Sequence, residues 1–296
     1  MSSTLPDEFE PPFVVVEPAV QSVPFVFNAP HAGSVYPHRF LAQSRLDALM
    51  LRRSEDAFVD DLFSGVVELG APIMAARFPR AFLDVNREPY ELDPRMFEGR
   101  VPPFANTRSM RVAGGLGTIP RIVADGHEIY RGRLNIEEAL HRIDWLYKPY
   151  HRTLRHLLQR TMRQFGHAAL IDCHSMPSTS VGRDDFVRAD VVLGDRYGTS
   201  CAGILTDLVD AALRSRGYAV VRNKPYAGGF ITEHYGEPAL GRHCLQVEVN
   251  RSIYMDERTM TRKPGFDILA RDLKDVFWTV TQEIQGDLTP RSIAAE

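Results

Sequence analysis

The stretch AALIDCHSMP, residues 168–177, is the best starting point for predicting the fold of this chain. It opens with an apolar run that ends at Asp172, and His174 follows directly. A short apolar run without polar alternation is typical of a strand that is buried on both faces. Residues 24–28 form a second run of this kind, and His31 follows it. The chain therefore contains two predicted buried strands, each with a histidine at its carboxyl end.

Further apolar runs and helical patterns extend this interpretation along the chain. Strands are also predicted at residues 72–77, 81–85, 190–194, 218–222 and 244–250. Ser54 is expected to cap one helix, Asn135 to open a long helix that Pro149 can kink, and two more helices are expected at 199–216 and 266–284. Strands that alternate with helices predict an α/β fold with a mixed, mainly parallel sheet flanked by helices.

The predicted elements suggest one α/β domain over residues 21–286, with an N-terminal extension at 1–20 and a C-terminal tail at 287–296. Residues 88–133 are rich in Pro, Gly, Arg and Asn and show little periodicity. Loops of this length are usually functional or mobile. We therefore interpret this stretch as a long excursion rather than a core element.

Composition excludes several classes of function. The 296 residues have a formal net charge of -3, which provides no broad cationic surface for nucleic acid. The acidic, proline-rich start lacks the features of a secretory signal, and no apolar run reaches the length of a membrane span. We expect a cytoplasmic protein with a small-molecule partner. Its oligomeric state is not encoded in any recognisable pattern.

The two histidines suggest a metal site. If both strands are parallel, His31 and His174 emerge at the same edge of the sheet, where open α/β sheets bind their ligands. A catalytic zinc commonly takes two histidines and a carboxylate and keeps one position open. Glu55 and Asp56 are both candidates for the carboxylate, and Asp56 is preferred. The three cysteines are odd in number and widely spaced, so a thiolate site is not indicated.

A second carboxylate, Glu248, lies between two valines in the last predicted strand. Burial of an unpaired carboxylate is costly, so this residue is either part of a structural ion pair or functional. In the functional interpretation, Glu248 is the general base that takes a proton from the attacking water.

Anion recognition has its own candidates, since a guanidinium binds a carboxylate in a two-pronged fashion. They are Arg80, Arg87, Arg183 and Arg251, of which Arg87 and Arg251 are favoured because each follows an asparagine at the end of a predicted strand. The glycine-containing segment 223–232, which ends in Thr232, can bring backbone close to a ligand. Thr232 is therefore added to the candidate substrate contacts.

Seven segments between about Val23 and Asp256 form a combined signature. They are NAPHAGSVYP, SEDAFVDDLF, FPRAFLDVNRE, residues 117–130, IDCHSMPS, NKPYAGGFITEHYGEP and LQVEVNRSIYMDE. In this order they resemble the N-formylglutamate amidohydrolase (deformylase) family.

The resemblance implies a zinc-carboxypeptidase-like fold, one zinc ion per chain and hydrolysis of N-formylglutamate to glutamate and formate, with histidine breakdown as the pathway. It implies His31, Asp56 and His174 as metal ligands and Glu248 as the catalytic glutamate. Asn86 and Arg87 resemble the pair that carboxypeptidases use on a substrate carboxylate. One departure is that no HxxE motif follows His31, so the carboxylate ligand must come from farther along the chain.

The working hypothesis is that Glu248 moves the proton and that Arg80, with the metal, stabilises the developing oxyanion. Three alternatives stay open. The substrate could be another N-acyl or N-formimino amino acid, or the protein could bind a metal or an amino acid without turnover. A cysteine hydrolase built on Cys173 and His174 is disfavoured, because adjacent residues of a strand point to opposite faces.

Overall fold

Seven strands form the central sheet of the protein. In the computed structural model, which describes residues 9–123, 126–179, 189–284 and 288, they are β1 (Phe13–Val16), β2 (Phe25–Ala29), β3 (Ile73–Ala76), β6 (Ala168–Met176), β7 (Val191–Gly194), β8 (Val220–Arg222) and β9 (Arg242–Asn250). Two small sheets pair β4 (Phe97–Glu98) with β5 (Leu134–Asn135), and β10 (Met255–Asp256) with β11 (Thr261–Arg262).

The order of the central sheet is β1-β3-β2-β6-β9-β7-β8. The inner strands β3, β2, β6 and β9 are parallel, whereas β1 and β7 are antiparallel to β3 and β9. The predicted mixed, mainly parallel sheet is thus confirmed. Because β2 and β6 are parallel neighbours, the residues that follow β2 lie beside the last part of β6.

Helices cover both faces of the sheet. They are α1 (His38–Gln43), α2 (Ala48–Arg52), α3 (Val59–Phe63), α4 (Met110–Ala113), α5 (Ile136–Arg142), α6 (Lys148–Phe165), α7 (Gly203–Ser215), α8 (Phe230–Tyr235), α9 (Arg251–Tyr254) and α10 (Gly265–Glu283). Helices α3, α7 and α10 share one apolar core with Phe27, and α6 shares a second core with Val26. No helix in the described ranges combines the length and apolar character that crossing a membrane requires.

The long helix predicted after Asn135 is present but interrupted. The Asn135 side chain accepts a hydrogen bond from the Glu137 amide at 2.9 Å and so caps α5. A π-helical turn at 143–147 separates α5 from α6, and Pro149 occupies the first turn of α6. Proline has no backbone N–H, so it is tolerated best in the first turn of a helix, where that N–H would have no intrahelical acceptor.

One predicted strand, residues 81–85, is wrong. Its apolar side chains do enter the second core, but its backbone makes turn and loop hydrogen bonds instead of sheet pairs. The Phe82 amide donates to the Pro79 carbonyl and the Asp84 amide to the Thr118 carbonyl, both at 2.9 Å. Burial alone produced the strand-like pattern.

Two predicted boundaries also need correction. The helix expected from Ser54 begins only at Val59, and the Ser54 hydroxyl donates to the Leu51 carbonyl at 2.9 Å. Strand β6 continues to Met176, so His174 belongs to the strand and not to a loop. The extension is possible because β9 pairs with β6 along its whole length, whereas β2 pairs only as far as Asp172.

Part of the predicted N-terminal extension belongs to the sheet. Residues of β1 pair with β3 in the register Phe13 to Ala76, and Phe9 is buried in the second core. The exposed Val14 and Val16 alternate with Phe13 and Val15, which pack on the second core. Such alternation is typical of an edge strand with one buried face. The C-terminal tail lies almost wholly outside the described residues.

Gly33, two residues after His31, offers a test of the packing beneath the site. A Cβ at this position would lie 2.1 Å from the Phe78 carbonyl oxygen, a backbone atom that cannot move aside easily. Gly33→Ala is therefore expected to lower the free energy of unfolding by about 2 kcal/mol.

Urea unfolding of the variant measures this loss. The matched control is Gly203→Ala at the first position of α7, where a Cβ meets nothing within 4 Å. Equal stability of the two variants would contradict the packing described around Gly33.

Candidate active site

Three predicted metal ligands converge at the carboxyl edge of the parallel strands. His31 follows β2, His174 lies in β6, and Asp56 lies in the connection between α2 and α3. One ligand atom from each side chain can be chosen so that all three lie within 4.8 Å of one another, and all three residues are buried. The Asp56 amide donates to the His31 carbonyl at 3.0 Å, so the two connecting loops are joined directly.

Each histidine has one ring nitrogen on a buried carboxylate outside this triad. His31 Nε2 lies 2.8 Å from Asp84 Oδ1, and His174 Nε2 lies 2.9 Å from Asp172 Oδ2. Metal-binding histidines are commonly oriented by such partners. In both rings, Nδ1 is therefore the nitrogen that faces the centre of the triad.

The two orienting carboxylates are themselves fixed. Asp84 accepts hydrogen bonds from Arg80 Nε at 3.0 Å and from the Asn86 amide at 2.8 Å. Burial alone raises the pKa of Asp84, but the charges of Arg87, His31 and Arg80 hold this pKa well below its usual range. Asp84 therefore stays ionised, as an acceptor for His31 must.

Asp172 is held by side chains from β2 and α6. Asn28 Nδ2 donates to Asp172 Oδ1 at 2.8 Å, and the Tyr150 hydroxyl donates to the Asn28 side chain. All three residues are fully buried.

The ring nitrogen His31 Nδ1 supports a cation site between the three side chains of the triad. His31 Nδ1 is buried and has no hydrogen-bond partner among the described residues, and it lies 3.4 Å from Asp56 Oδ2. The same carboxylate oxygen lies 2.9 Å from His174 Nδ1. A buried polar atom without a partner is costly, and a divalent cation shared by two nitrogens and one oxygen would satisfy it.

The structure distinguishes the two candidate carboxylates. Glu55 is fully buried but accepts hydrogen bonds from Arg52 Nε at 3.1 and 3.3 Å, so its carboxyl is engaged elsewhere. Burial raises the pKa of Glu55, and the hydrogen bond from Arg52 opposes this effect. Only Asp56 of this pair belongs to the triad.

Glu248 lies beside the triad, in β9, at the position paired with His174 in β6. Its carboxyl is buried and accepts a hydrogen bond from Gln246 Nε2 at 2.9 Å. Burial raises the pKa of Glu248 to about 7, against the opposing charge of His174. A carboxyl with such a pKa can both accept and release a proton near neutral pH.

The triad and Glu248 line a cavity of about 590 Å³. Its wall carries five arginines, Arg53, Arg80, Arg87, Arg111 and Arg251, and apolar side chains that include Leu116, Ile122 and Val123. Part of the wall comes from the predicted excursion at 88–133. Sequence reasoning missed Arg53 and Arg111, because neither follows a strand or belongs to a motif that distinguishes it from surface arginines.

Arg87 and Asn86 have contacts with the protein that fix them at the cavity wall. Arg87 donates to the Leu116 carbonyl at 2.9 Å and to the Asn86 carbonyl at 2.7 Å. Burial lowers the pKa of Arg87 to about 10, so its guanidinium remains charged at neutral pH. Asn86 accepts a hydrogen bond from the Ile231 amide at 2.8 Å.

The remaining predicted substrate contacts lie in different surroundings. Thr232 is fully buried in α8, and its hydroxyl donates to Gln246 Oε1 at 3.3 Å, so it contacts the residue that holds Glu248. Arg251 faces the cavity but donates to Asp56, Ser175 and the Arg53 carbonyl. Arg183 lies outside the described residues. The roles of these residues toward a substrate stay predictions.

Comparisons with known proteins agree on one family. Residues 23–255 match the family model described as N-formylglutamate amidohydrolase. The N-formylglutamate deformylase of Pseudomonas putida is 31% identical over 79% of this chain and 83% of its own. That of Pseudomonas aeruginosa is 30% identical over 80% of this chain and 84% of its own. The crystal structure of N-formylglutamate amidohydrolase from Ralstonia eutropha JMP134 matches with a TM-score of 0.87 at 35% identity, covering 92% of this chain and 97% of that one.

The raised pKa of Glu248 predicts a pH-dependent effect of Glu248→Gln on the stability of chelator-treated protein. The carboxyl titrates at about 7 in the folded protein but near 4.3 when unfolded. Ionisation of Glu248 therefore makes the wild-type protein less stable relative to the variant as pH rises through this window, because glutamine does not titrate. The stability advantage of the variant should grow from near zero at pH 4 to about 3 kcal/mol at pH 8.

Urea unfolding at pH 4, 6 and 8 measures this difference. Glu283→Gln, at an exposed position in α10, is the control and should show no such trend. A difference between Glu248→Gln and wild type that is the same at all three pH values would contradict the raised pKa.

Proposed function

This chain belongs to the N-formylglutamate amidohydrolase family, and from that premise we propose that it hydrolyses N-formyl-L-glutamate to L-glutamate and formate. The observation that carries this proposal is the position of Glu248, which is paired with the predicted metal ligand His174 inside a cavity lined by arginines. Such a cavity suits a small anionic amide. The enzyme class is that of hydrolases acting on a linear amide bond.

We propose that one zinc ion is held by His31 Nδ1, His174 Nδ1 and Asp56 Oδ2. The unpaired, buried His31 Nδ1 supports this assignment. Two imidazole nitrogens and one carboxylate oxygen are a common ligand set of catalytic zinc. Zinc bound there would supply Lewis acidity to the scissile carbonyl and to the attacking water.

Glu248 is proposed to move the proton of the reaction. It accepts a proton from the water whose oxygen attacks the formyl carbon, and it then delivers this proton to the nitrogen of the leaving glutamate. The carbon–nitrogen bond breaks as that nitrogen is protonated, which leaves formate and free glutamate. Gln246 holds the Glu248 carboxyl in place for both transfers.

The arginines of the cavity are proposed to hold the negative charges. Arg80, which lines the cavity and is anchored on Asp84, is suited to stabilise the oxyanion that develops on the formyl group. Arg87 is suited to bind one substrate carboxylate through Nη2, which lies 3.4 Å from Asp84 Oδ2 and has no shorter bond to a described residue. Arg111 lines the cavity without a hydrogen bond or ion pair to any other described residue, so its guanidinium can bind the second carboxylate. Thr232 acts on the substrate only through Gln246 in this proposal.

Two alternatives are tested by the choice of substrate. An enzyme for another N-acyl or N-formimino amino acid should prefer N-acetylglutamate or N-formiminoglutamate when these are assayed beside N-formylglutamate. A protein that binds a metal or an amino acid without turnover should hydrolyse none of the three. A role in histidine breakdown stays an expectation from the resemblance.

Glu248→Gln tests the proposed base. The variant should lose at least a hundredfold in kcat for formate release, because glutamine cannot accept the proton. It should still contain about one zinc per chain, since Glu248 is not part of the triad. Asp56→Asn, which alters a predicted ligand, should instead lower the zinc content. Turnover of Glu248→Gln near the wild-type rate would refute its role as base.

Arg111→Gln tests recognition of the second carboxylate. The expected loss in kcat/KM for N-formylglutamate is about 10- to 100-fold, the value of a charge-assisted hydrogen bond. N-formylglutamine, which lacks the side-chain carboxylate, should be affected less than about twofold if Arg111 binds that group. Arg108→Gln is the matched control, because Arg108 is exposed in the same segment and does not line the cavity. If Arg111→Gln lowers kcat/KM by the same factor for N-formylglutamate and N-formylglutamine, Arg111 does not bind the side-chain carboxylate.

A further inference from the structure

All three nitrogens of the Arg251 guanidinium donate to oxygens of the protein. Nε donates to Ser175 Oγ at 3.0 Å, Nη1 to the Arg53 carbonyl at 3.0 Å, and Nη2 to Asp56 Oδ1 at 2.9 Å. Nη2 also lies 3.3 Å from the Ser175 carbonyl. Arg251 is buried, with 5% of its surface exposed. A substrate carboxylate would therefore have to compete with these existing bonds.

The bond from Arg251 gives the two oxygens of the Asp56 carboxylate different partners. Oδ1 accepts from Arg251, whereas Oδ2 faces His174 Nδ1 at 2.9 Å and His31 Nδ1 at 3.4 Å. The torsion that rotates an aspartate carboxylate is broad in the absence of such contacts. A planar guanidinium on Oδ1 therefore fixes the plane of the carboxylate and directs Oδ2 into the triad.

The segment that carries Asp56 requires such support. Phe58, two residues after Asp56, has φ 65° and ψ 10°, a left-handed conformation that is unfavourable for a bulky side chain. The short helix α9 holds this segment at two further points, because Arg251 bonds the Arg53 carbonyl and the Tyr254 hydroxyl donates to the Ala57 carbonyl at 3.0 Å. The strained backbone is thus tied to the end of β9.

We propose that Arg251 is a positioning residue that sets Asp56 for metal binding and does not bind the substrate. This inference rests on the proposed metal site. It gives the two arginines that follow an asparagine different roles, with Arg87 at the substrate and Arg251 behind the metal ligand. Strand β9 then supplies the proposed base, Glu248, and helix α9, which follows it directly, begins with the residue that orients Asp56.

Arg251→Lys is the most informative variant, because it keeps the positive charge beside Asp56 and removes only the planar, three-way contact. Zinc affinity, measured by competition with a chromogenic chelator, should fall at least about tenfold. The zinc-induced rise in Tm should shrink accordingly. At saturating zinc, KM for N-formylglutamate should stay within about twofold of the wild-type value.

A second variant keeps the test decisive if Arg251→Lys fails to fold. Ser175→Ala removes the side-chain acceptor of Nε and leaves Arg251 unchanged, and it should weaken zinc binding by about threefold. Arg258→Lys, at an exposed position seven residues along the chain, is the control and should bind zinc like wild type.

The outcomes separate the inference from the proposed function. Wild-type zinc affinity in both Arg251→Lys and Ser175→Ala, or a tenfold rise in KM at saturating zinc in Arg251→Lys, would overturn the positioning role and leave the proposed function standing. Failure of the wild-type protein to bind zinc would overturn both. Weaker zinc binding with an unchanged KM supports the positioning role.

Discussion

Two buried carboxylates determine which nitrogen of each site histidine faces the cavity. Asp84 holds Nε2 of His31, and Asp172 holds Nε2 of His174, so both Nδ1 atoms point toward Asp56. If either carboxylate were lost, the histidine could rotate or change its tautomer, and its Nδ1 would no longer face the other two side chains of the triad. Both carboxylates are placed by the fold, since Asp172 lies in β6 and Asp84 lies in the buried loop at 81–87.

The wall of the cavity carries more arginines than carboxylates. Five arginines and three carboxylates, Asp56, Asp84 and Glu248, line its wall, which leaves an excess of positive charge even with Glu248 ionised. Much of that charge is already used on the carboxylates of the site, through Arg80 and Arg87 on Asp84 and Arg251 on Asp56. Arg111 makes no such contact with a described residue. The cavity can therefore attract an anion without loosening the triad.

Much of the site could be predicted from sequence, because it depends on strand order and on segments with a strong local signal. Two buried strands followed by histidines predict convergence once the strands are parallel neighbours, as β2 and β6 are. The loop at 81–85 could not be predicted, because burial gives a strand and a buried loop the same apolar pattern. The contacts of Arg251, and the absence of such contacts for Arg111 among the described residues, also lay beyond sequence reasoning, since both depend on which oxygens the fold brings within reach of each guanidinium. Asp56 could be preferred over Glu55 only weakly, whereas the position of Arg52 separates them in space.

The central claim is that His31, Asp56 and His174 share one zinc ion through Nδ1, Oδ2 and Nδ1. Anomalous diffraction at the zinc absorption edge, from crystals of the purified protein, tests it most directly. The account predicts one strong peak at about 2.0–2.2 Å from all three atoms. A peak coordinated by other residues, or none between these three side chains in crystals grown with zinc, would contradict it.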